Sequence, residues 1–252
     1  MTLFAHTHCV AFELSNTCPY AWLHKKCPLH LELASAFRLK ETKHLPGSVV
    51  RAVLDTLGKH GYKSTISFHQ YNEPLVDPRL FEFIRYARKQ CPEARIIILT
   101  NGVFLSRQLA LELEEAGLTG LWVTLYGGQE DEGATWEWMK REIIPIFSES
   151  NVQTWAMNDG LDDRLCIYDR EYQTDRRNCY APFSAVIITR DAEWGLCCMD
   201  WKRTVSLGSL REHTLEELMQ SGEPERIYAA LQGGDRTVLD LCRRCTFTIT
   251  PR

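Results

Sequence analysis

Cys179, Cys197, Cys242 and Cys245 stand in the last third of the chain, in Cys179-Tyr-Ala-Pro, Trp194-Gly-Leu-Cys197 and Cys242-Arg-Arg-Cys245. Soft thiolates drawn from separated segments and closed by a CxxC pair are the donor set of zinc or of an iron–sulfur cluster. Buried thiols also serve as small apolar side chains, but the polar, Arg-rich flanks of this set are poor core surroundings. A second cysteine-bearing loop, with Cys18 and Cys27, lies near the other end of the chain. Two such loops point to a redox enzyme with two metal centres. Cys91, which precedes Pro92 at a helix end, and Cys166 read instead as packed thiols.

These loops need a scaffold, and the pattern of the chain supplies one. Phe12-Glu-Leu-Ser reads as a first strand, followed by a polar loop through His44. Apolar residues at helical spacing (Val49, Val50, Val53, Leu54, Leu57) predict a helix from Gly47 to His60. Ser64 to His69 is strand-like, Asn72-Glu73-Pro74 breaks it, and Pro78 opens a helix to about Gln90. The continuous apolar run Arg95 to Thr100 predicts a strand buried on both faces. Ser106 caps a helix ending near Gly117, and Leu121 to Leu125 is another strand. A helix over Trp136 to Phe147 and a strand over Val152 to Met157 follow. Trp122 and Trp155 fit strand core positions; Trp136 and Trp138 fit a packed helix.

Repeated strand–helix alternation implies parallel pairing with right-handed crossovers. There are too few units for a closed eight-fold barrel, so the expectation is an α/β fold: a partial, TIM-like (β/α)6 barrel over residues 1–165. Its chemistry belongs on loops after the strand C-termini. The polar breaks at Asn16-Thr17-Cys18, residues 71–74, 100–102 and 126–128 all fall there. Residues 166–252 form a small C-terminal domain: a hairpin over Phe183 to Cys197, a capping-box helix from Thr214, and a helix from Pro224. That tail has too little apolar surface to stand alone, and a metal cluster would supply the missing stabilisation.

The 252 residues carry a net charge of −4 and are 44% hydrophobic, with no polybasic signature for nucleic acid or membrane. No apolar run approaches the roughly 20 residues of a bilayer span, and the N-terminus does not look like a signal peptide. Ten cysteines without a secretion signal imply the reducing cytoplasm.

Taken together, Tyr71-Asn72-Glu73-Pro74-Leu75, Leu99-Thr100-Asn101-Gly102, Val123-Thr124-Leu125-Tyr126-Gly127 and the cysteine-bearing tail resemble the radical S-adenosylmethionine (SAM) enzymes that carry a twitch, or SPASM-like, auxiliary-cluster domain. The resemblance spans nearly the whole chain. Its length and cysteine layout are most similar to members that oxidise a secondary alcohol of an aminocyclitol. It implies a SAM-binding [4Fe-4S] cluster after strand 1, an auxiliary [4Fe-4S] cluster on Cys179, Cys197, Cys242 and Cys245, and SAM itself. Asn72, Glu73 and Pro74 would hold the SAM amino group, with Asn101 and Thr124 meeting its ribose or carboxylate. The chain departs from the usual CxxxCxxC motif: Cys18-x5-His24-x2-Cys27 puts a histidine in the middle place. Imidazole replaces thiolate in some iron–sulfur centres. Cys9 is the rival ligand, although its place before strand 1 puts it near the far end of the barrel.

The resemblance further implies an oxidoreductase acting on a small polar metabolite (an aminocyclitol, sugar or nucleoside) in natural-product biosynthesis. An external one-electron reductant of flavodoxin or ferredoxin type would feed it. Residues 158–164 lie between barrel and tail, and Asn158, Asp163 and Arg164 are candidate substrate contacts; a solvated linker is the plainer alternative. Neighbours on a strand point to opposite faces, so Cys198 does not share a cluster with Cys197. Its thiol could donate a hydrogen atom, which would make the enzyme an epimerase. Peptide modification and sulfur insertion remain open within this chemistry, and a zinc-ribbon binding module is the alternative outside it.

Overall fold

Strand β1 (Cys9–Phe12) is the centre of the architecture. The structure, a computed structural model, describes residues 3–21, 27–30, 41–125, 129–148, 151–156, 171 and 177–249. Beyond β1 the described strands are β2 (Thr65–Ser67), β3 (Arg95–Thr100), β4 (Gly120–Leu125), β5 (Val152–Ala156), β6 (Ala185–Ile188), β7 (Glu193–Gly195) and β8 (Ser206–Ser209). They make one eight-stranded sheet in the order β5-β4-β3-β2-β1-β6-β7-β8. All pairings from β5 through β6 are parallel; β7 and β8 add on antiparallel.

The expected partial barrel is therefore present, with six parallel strands, and its sixth comes from the tail. Residue Cys9 faces Thr65 on one side and Ala185 on the other. The expected boundary at residues 165/166 falls between β5 and β6 of one continuous sheet. Strand β8 has no counterpart among the sequence expectations. Its interior Gly208 adopts φ 133°, and a Cβ there would come within 2.4 Å of Leu218 Cδ2.

The helices follow the apolar periodicity. Helix α1 (Gly47–Lys59) buries the five residues expected of it, and α2 (Leu80–Gln90) buries Leu80, Phe83, Ile84 and Ala87. Then come α3 (Arg107–Glu115), α4 (Gln129–Glu142) and the short α5 (Ile144–Phe147). Ser106 caps α3 by accepting from the Leu109 amide at 3.1 Å. In the tail, α6 (Leu215–Gln220) has both legs of the Thr214–Glu217 capping box, followed by α7 (Glu223–Gln232) and α8 (Asp240–Arg244). Phe12, Phe68 and Phe83 stack in series between the sheet and α2, with ring centroids 5.5 and 6.3 Å apart. Cys91 is buried at the end of α2, as expected, and burial pushes its thiol up to about 11.

One clamp sets the mouth of the sheet. Asp77 is fully buried and takes a two-point contact from Arg79, Nε to Oδ1 at 2.9 Å and Nη2 to Oδ2 at 2.7 Å. Arg79 Nη1 also donates to the Leu45 carbonyl at 2.9 Å, and Nη2 reaches the Leu14 carbonyl at 3.4 Å. The loop after β2 is thus fastened to the chain leaving β1 and to the entry of α1.

Arg79→Met strands a buried carboxylate and should cost about 3–5 kcal/mol, read by chemical denaturation. Burial alone would raise the Asp77 pKa, but the Arg79 hydrogen bonds and charge prevail and hold it below 3.8. The resulting stabilisation is present above pH 3.8 and is lost as the pH falls through the lower folded value. The stability gap between wild type and Asp77→Asn should therefore narrow below pH 3.8.

Candidate active site and metal centres

Glu73 follows β2 and is 2% exposed. Its Oε1 accepts from Thr100 Oγ1 at 2.6 Å and from the Leu75 amide at 3.1 Å, and its Oε2 accepts from the Asn101 amide at 2.8 Å. The Glu73 amide donates to the Thr17 carbonyl at 2.8 Å. One residue thus ties together the loops after β1, β2 and β3. A carboxylate offers about four lone-pair sites, and the protein fills three. Burial raises the pKa of Glu73 against the lowering effect of these three donors.

Cys18 sits on the same junction. Asn101 Nδ2 donates to Cys18 Sγ at 3.7 Å. Burial raises the Cys18 thiol, and the charges of Glu73 and Cys27 raise it further, so all three groups lie within electrostatic reach. The Cys18–Cys27 loop is braced where Ala21 O meets His30 Nδ1 at 2.6 Å. His24, the expected third ligand, lies outside the described residues. Cys9 opens β1 at the opposite strand end and is paired with Thr65 and Ala185. That position separates it from Cys18.

Strand parity defines what faces the barrel interior. Val10, Phe12, Phe68, Leu121 and Val123 join the helix-side core. Their neighbours Ala11, Ser67, His69, Trp122 and Thr124 therefore face the other way, into the lumen. Ser67 Oγ and His69 Nδ1 are 3.0 Å apart. Asn72 is buried; its Oδ1 accepts from the Gln70 amide at 3.0 Å, and its Nδ2 has no partner. An orphaned amide donor beside Glu73 suits an anionic or carbonyl group of a bound molecule. Pro74 is buried and starts a short 3-10 turn over Pro74–Val76. Asn158, Asp163 and Arg164 lie outside the described residues.

The tail gathers its four thiols as its spacing predicts. Cys179, Cys197, Cys242 and Cys245 line one cavity of about 330 Å³ of empty space, some of it open to solvent, together with Arg236, Leu241 and Phe247. Burial pushes Cys242 up to about 12, helped by repulsion from Cys245 and Cys179. Cys197 and Cys245 are raised for the same first reason. Thiolates in such a place need a bound cation. Among the described residues no three His, Cys, Asp or Glu side chains converge on a point as a single metal ion requires. Zinc would draw its sulfurs to about 2.3 Å from one centre. Thiols spread around a cavity fit a cluster that takes one cysteine at each of four corners. Cys198 is not part of the lining.

Tyr71 joins the loop after β2 to the tail. Its hydroxyl, one residue before Asn72, donates to the carbonyl of Cys198. Glu13 is equally central: its carboxylate, fully buried, meets Arg190 Nη1 at 3.2 Å and Arg203 Nη2 at 2.6 Å, which joins the end of β1 to the β6–β7 turn and to the β7–β8 connection.

Residues 179–246 match the family model of the SPASM iron–sulfur cluster-binding domain. Over 235 residues the chain is 25% identical to the S-adenosyl-L-methionine-dependent 2-deoxy-scyllo-inosamine dehydrogenase of Niallia circulans, covering 92% of this chain and 88% of that one. The fold superposes on BtrN in complex with AdoMet and 2-DOIA with a TM-score of 0.78 at 21% identity, covering 98% and 96% of the two chains. Native anSMEcpe with bound AdoMet aligns at 0.56 and 12% identity, over 94% of this chain and 88% of the other. The resemblance to radical SAM enzymes with a SPASM-like tail therefore holds along the described fold.

Sequence reasoning missed Glu13, His69, Tyr71 and Arg236. The first three lie in or beside strands that were located, but nothing local marks side chains such as Glu13 and Tyr71, whose partners are more than a hundred residues away. His69 was findable, since period-2 alternation from Ser67 puts it in the lumen.

Glu73→Gln keeps the shape but sets an amide NH₂ or a single carbonyl oxygen against three donors. Hydrogen bonds to charged groups are worth about 1.5–3 kcal/mol, so denaturation of the cluster-free protein should show a loss of about that size. An unchanged midpoint would mean that the carboxylate does not fasten these loops.

Proposed function

We propose that this chain is a radical SAM oxidoreductase that removes hydrogen from a small polar metabolite, such as an aminocyclitol, sugar or nucleoside, in natural-product biosynthesis. The observation that supports it most is the junction of Cys18, Asn101 and Glu73 at the strand ends, with a four-thiol cavity reached through the Tyr71 hydrogen bond to Cys198. A cluster and SAM held there would supply, with one electron from a flavodoxin- or ferredoxin-type carrier, a 5′-deoxyadenosyl radical.

The residues present fit that group. Cys18 and Cys27, with His24 as third ligand, would hold the cluster and leave a place on it for SAM. Asn72 Nδ2 offers a donor to its carboxylate, and the remaining lone pair of Glu73 offers one acceptor to its ammonium. Thr124, on the lumen face, is placed for the ribose. The lumen wall orients one C–H bond and excludes water, and Asn158, Asp163 and Arg164 take the substrate's polar groups. Oxidation of a secondary alcohol removes a hydrogen atom from carbon, a proton from oxygen and one further electron. Cys179, Cys197, Cys242 and Cys245 would hold a cluster able to accept that electron.

Cys197 lines the cavity and Cys198 does not, which favours a second reading: Cys198 as a hydrogen-atom donor in epimerisation.

Anaerobic reconstitution should load roughly eight irons per chain, two [4Fe-4S] sets, and give a brown protein. With SAM and strong reductant it should form 5′-deoxyadenosine. His24→Ala or Cys18→Ala should abolish that product and halve the iron, while Cys242→Ala halves the iron and spares cleavage. Colourless, zinc-bearing material or intact SAM would sink the proposal. If Cys9→Ala takes the place of His24→Ala in this pattern, the ligand assignment is wrong.

The two readings separate in D₂O once a substrate is in hand. Deuterium carried into product by wild type and lost in Cys198→Ala means epimerisation; a two-electron-oxidised product formed by both means dehydrogenation.

A further inference from the structure

Arg236 opens a short 3-10 turn over Arg236–Val238 whose first amides are capped by Asp235. Its side chain is 7% exposed and lines the cavity of the four cysteines. Nε donates to the Arg177 carbonyl at 2.8 Å and Nη2 to the Phe247 carbonyl at 3.1 Å. Arg177 lies two residues before Cys179, and Phe247 two residues after Cys245. The same guanidinium lines the cavity beside Cys242 and Cys245. One side chain therefore holds both ends of the thiol set in register.

The charge is as informative as the hydrogen bonds. Among the described residues no carboxylate forms an ion pair with Arg236; its hydrogen-bond partners are two backbone carbonyls. A buried guanidinium without a counter-charge is costly. The four cysteine sulfurs line the same cavity, so a thiolate-ligated group held there would lie against this charge. The arrangement is thus completed only when the cavity holds a thiolate-ligated group of net negative charge.

We propose that Arg236 is a positioning residue that sets the reduction potential of the tail cluster, holding Cys179 and Cys245 in place and stabilising the more negative, reduced state. A fixed cation against the cysteine sulfurs favours added negative charge, and hydrogen bonds to cluster sulfurs act in the same direction. The potential is raised, which suits a centre that must take an electron from substrate. This rests on the cluster assignment made above, and the experiment separates failure of one from failure of the other.

The test uses the full chain carrying Cys18→Ala, so that the tail cluster is the reporter. Iron and sulfide content measure loading, and an anaerobic redox titration followed by EPR gives the midpoint potential. Arg236→Gln, which keeps hydrogen bonding and loses the charge, should shift the one-electron equilibrium about tenfold toward the oxidised cluster, about 59 mV. Arg236→Lys keeps the charge and should stay near the wild-type potential. Equal potentials for the Gln and Lys variants overturn the inference, as does loss of the cluster from both when the Arg236 protein is fully loaded, since the role is then structural alone. If the Arg236 protein itself takes up no iron in the tail, the functional reading beneath fails instead.

Discussion

A carboxylate withdrawn from water at the mouth of a barrel must collect hydrogen-bond donors, and Glu73 collects them from loops that the chain itself holds far apart. Its oxygens take Thr100 at the end of β3 and Asn101 just after it, and its amide holds Thr17 after β1. Cys18, next in the chain after Thr17, is placed as a consequence, and Asn101 completes the triangle by touching its sulfur. The Asp77–Arg79 clamp repeats the device a few residues on, with a guanidinium in place of amides. Desolvation makes both arrangements intolerant of looseness: a buried charge with one partner missing costs more than the whole arrangement gains over an apolar replacement.

The tail obeys the same logic with the sign reversed. There a buried cation, Arg236, is set among thiols that resist ionisation as long as nothing positive lies between them. Each half of that arrangement is unfavourable alone, and a cationic core bound by four thiolates reconciles them. Tyr71 then links the two devices, since it belongs to the segment that carries Glu73 and grips the backbone next to Cys197.

Much of this was legible in the sequence because local rules and tertiary structure agree. Arg95–Thr100 is a strand wherever it is placed, since a continuous apolar run of that length has both faces to bury. Thr214-Leu-Glu-Glu carries its own cap, and the capping box forms as written. The first strand was misplaced by a few residues: Phe12-Glu-Leu-Ser alternates convincingly, but the paired segment is Cys9–Phe12, and Glu13 is spent on two arginines beyond its end. Strand β8 escaped because four residues with an interior glycine give no periodicity to read. The motif located Glu73 without revealing that three of its four acceptor sites are committed to the protein. The cysteines of the tail were plain as a set, whereas the arginine among them looked like any other in an Arg-rich stretch.

The seat of β1 between β2 and β6 has a bearing on how such a chain comes to exist. Residue 9 needs a neighbour at 65 and another at 185. During synthesis the first neighbour is available early, and the second is not made until most of the polypeptide has left the ribosome. Until then an apolar strand keeps one flank of unsatisfied amides and carbonyls, the kind of edge that invites pairing with other molecules. Ring closure over so long a span is also slow relative to local helix formation. The CxxC that completes the thiol set emerges later still, so the nascent barrel is sealed by β6 before the last two cysteines of the tail are made.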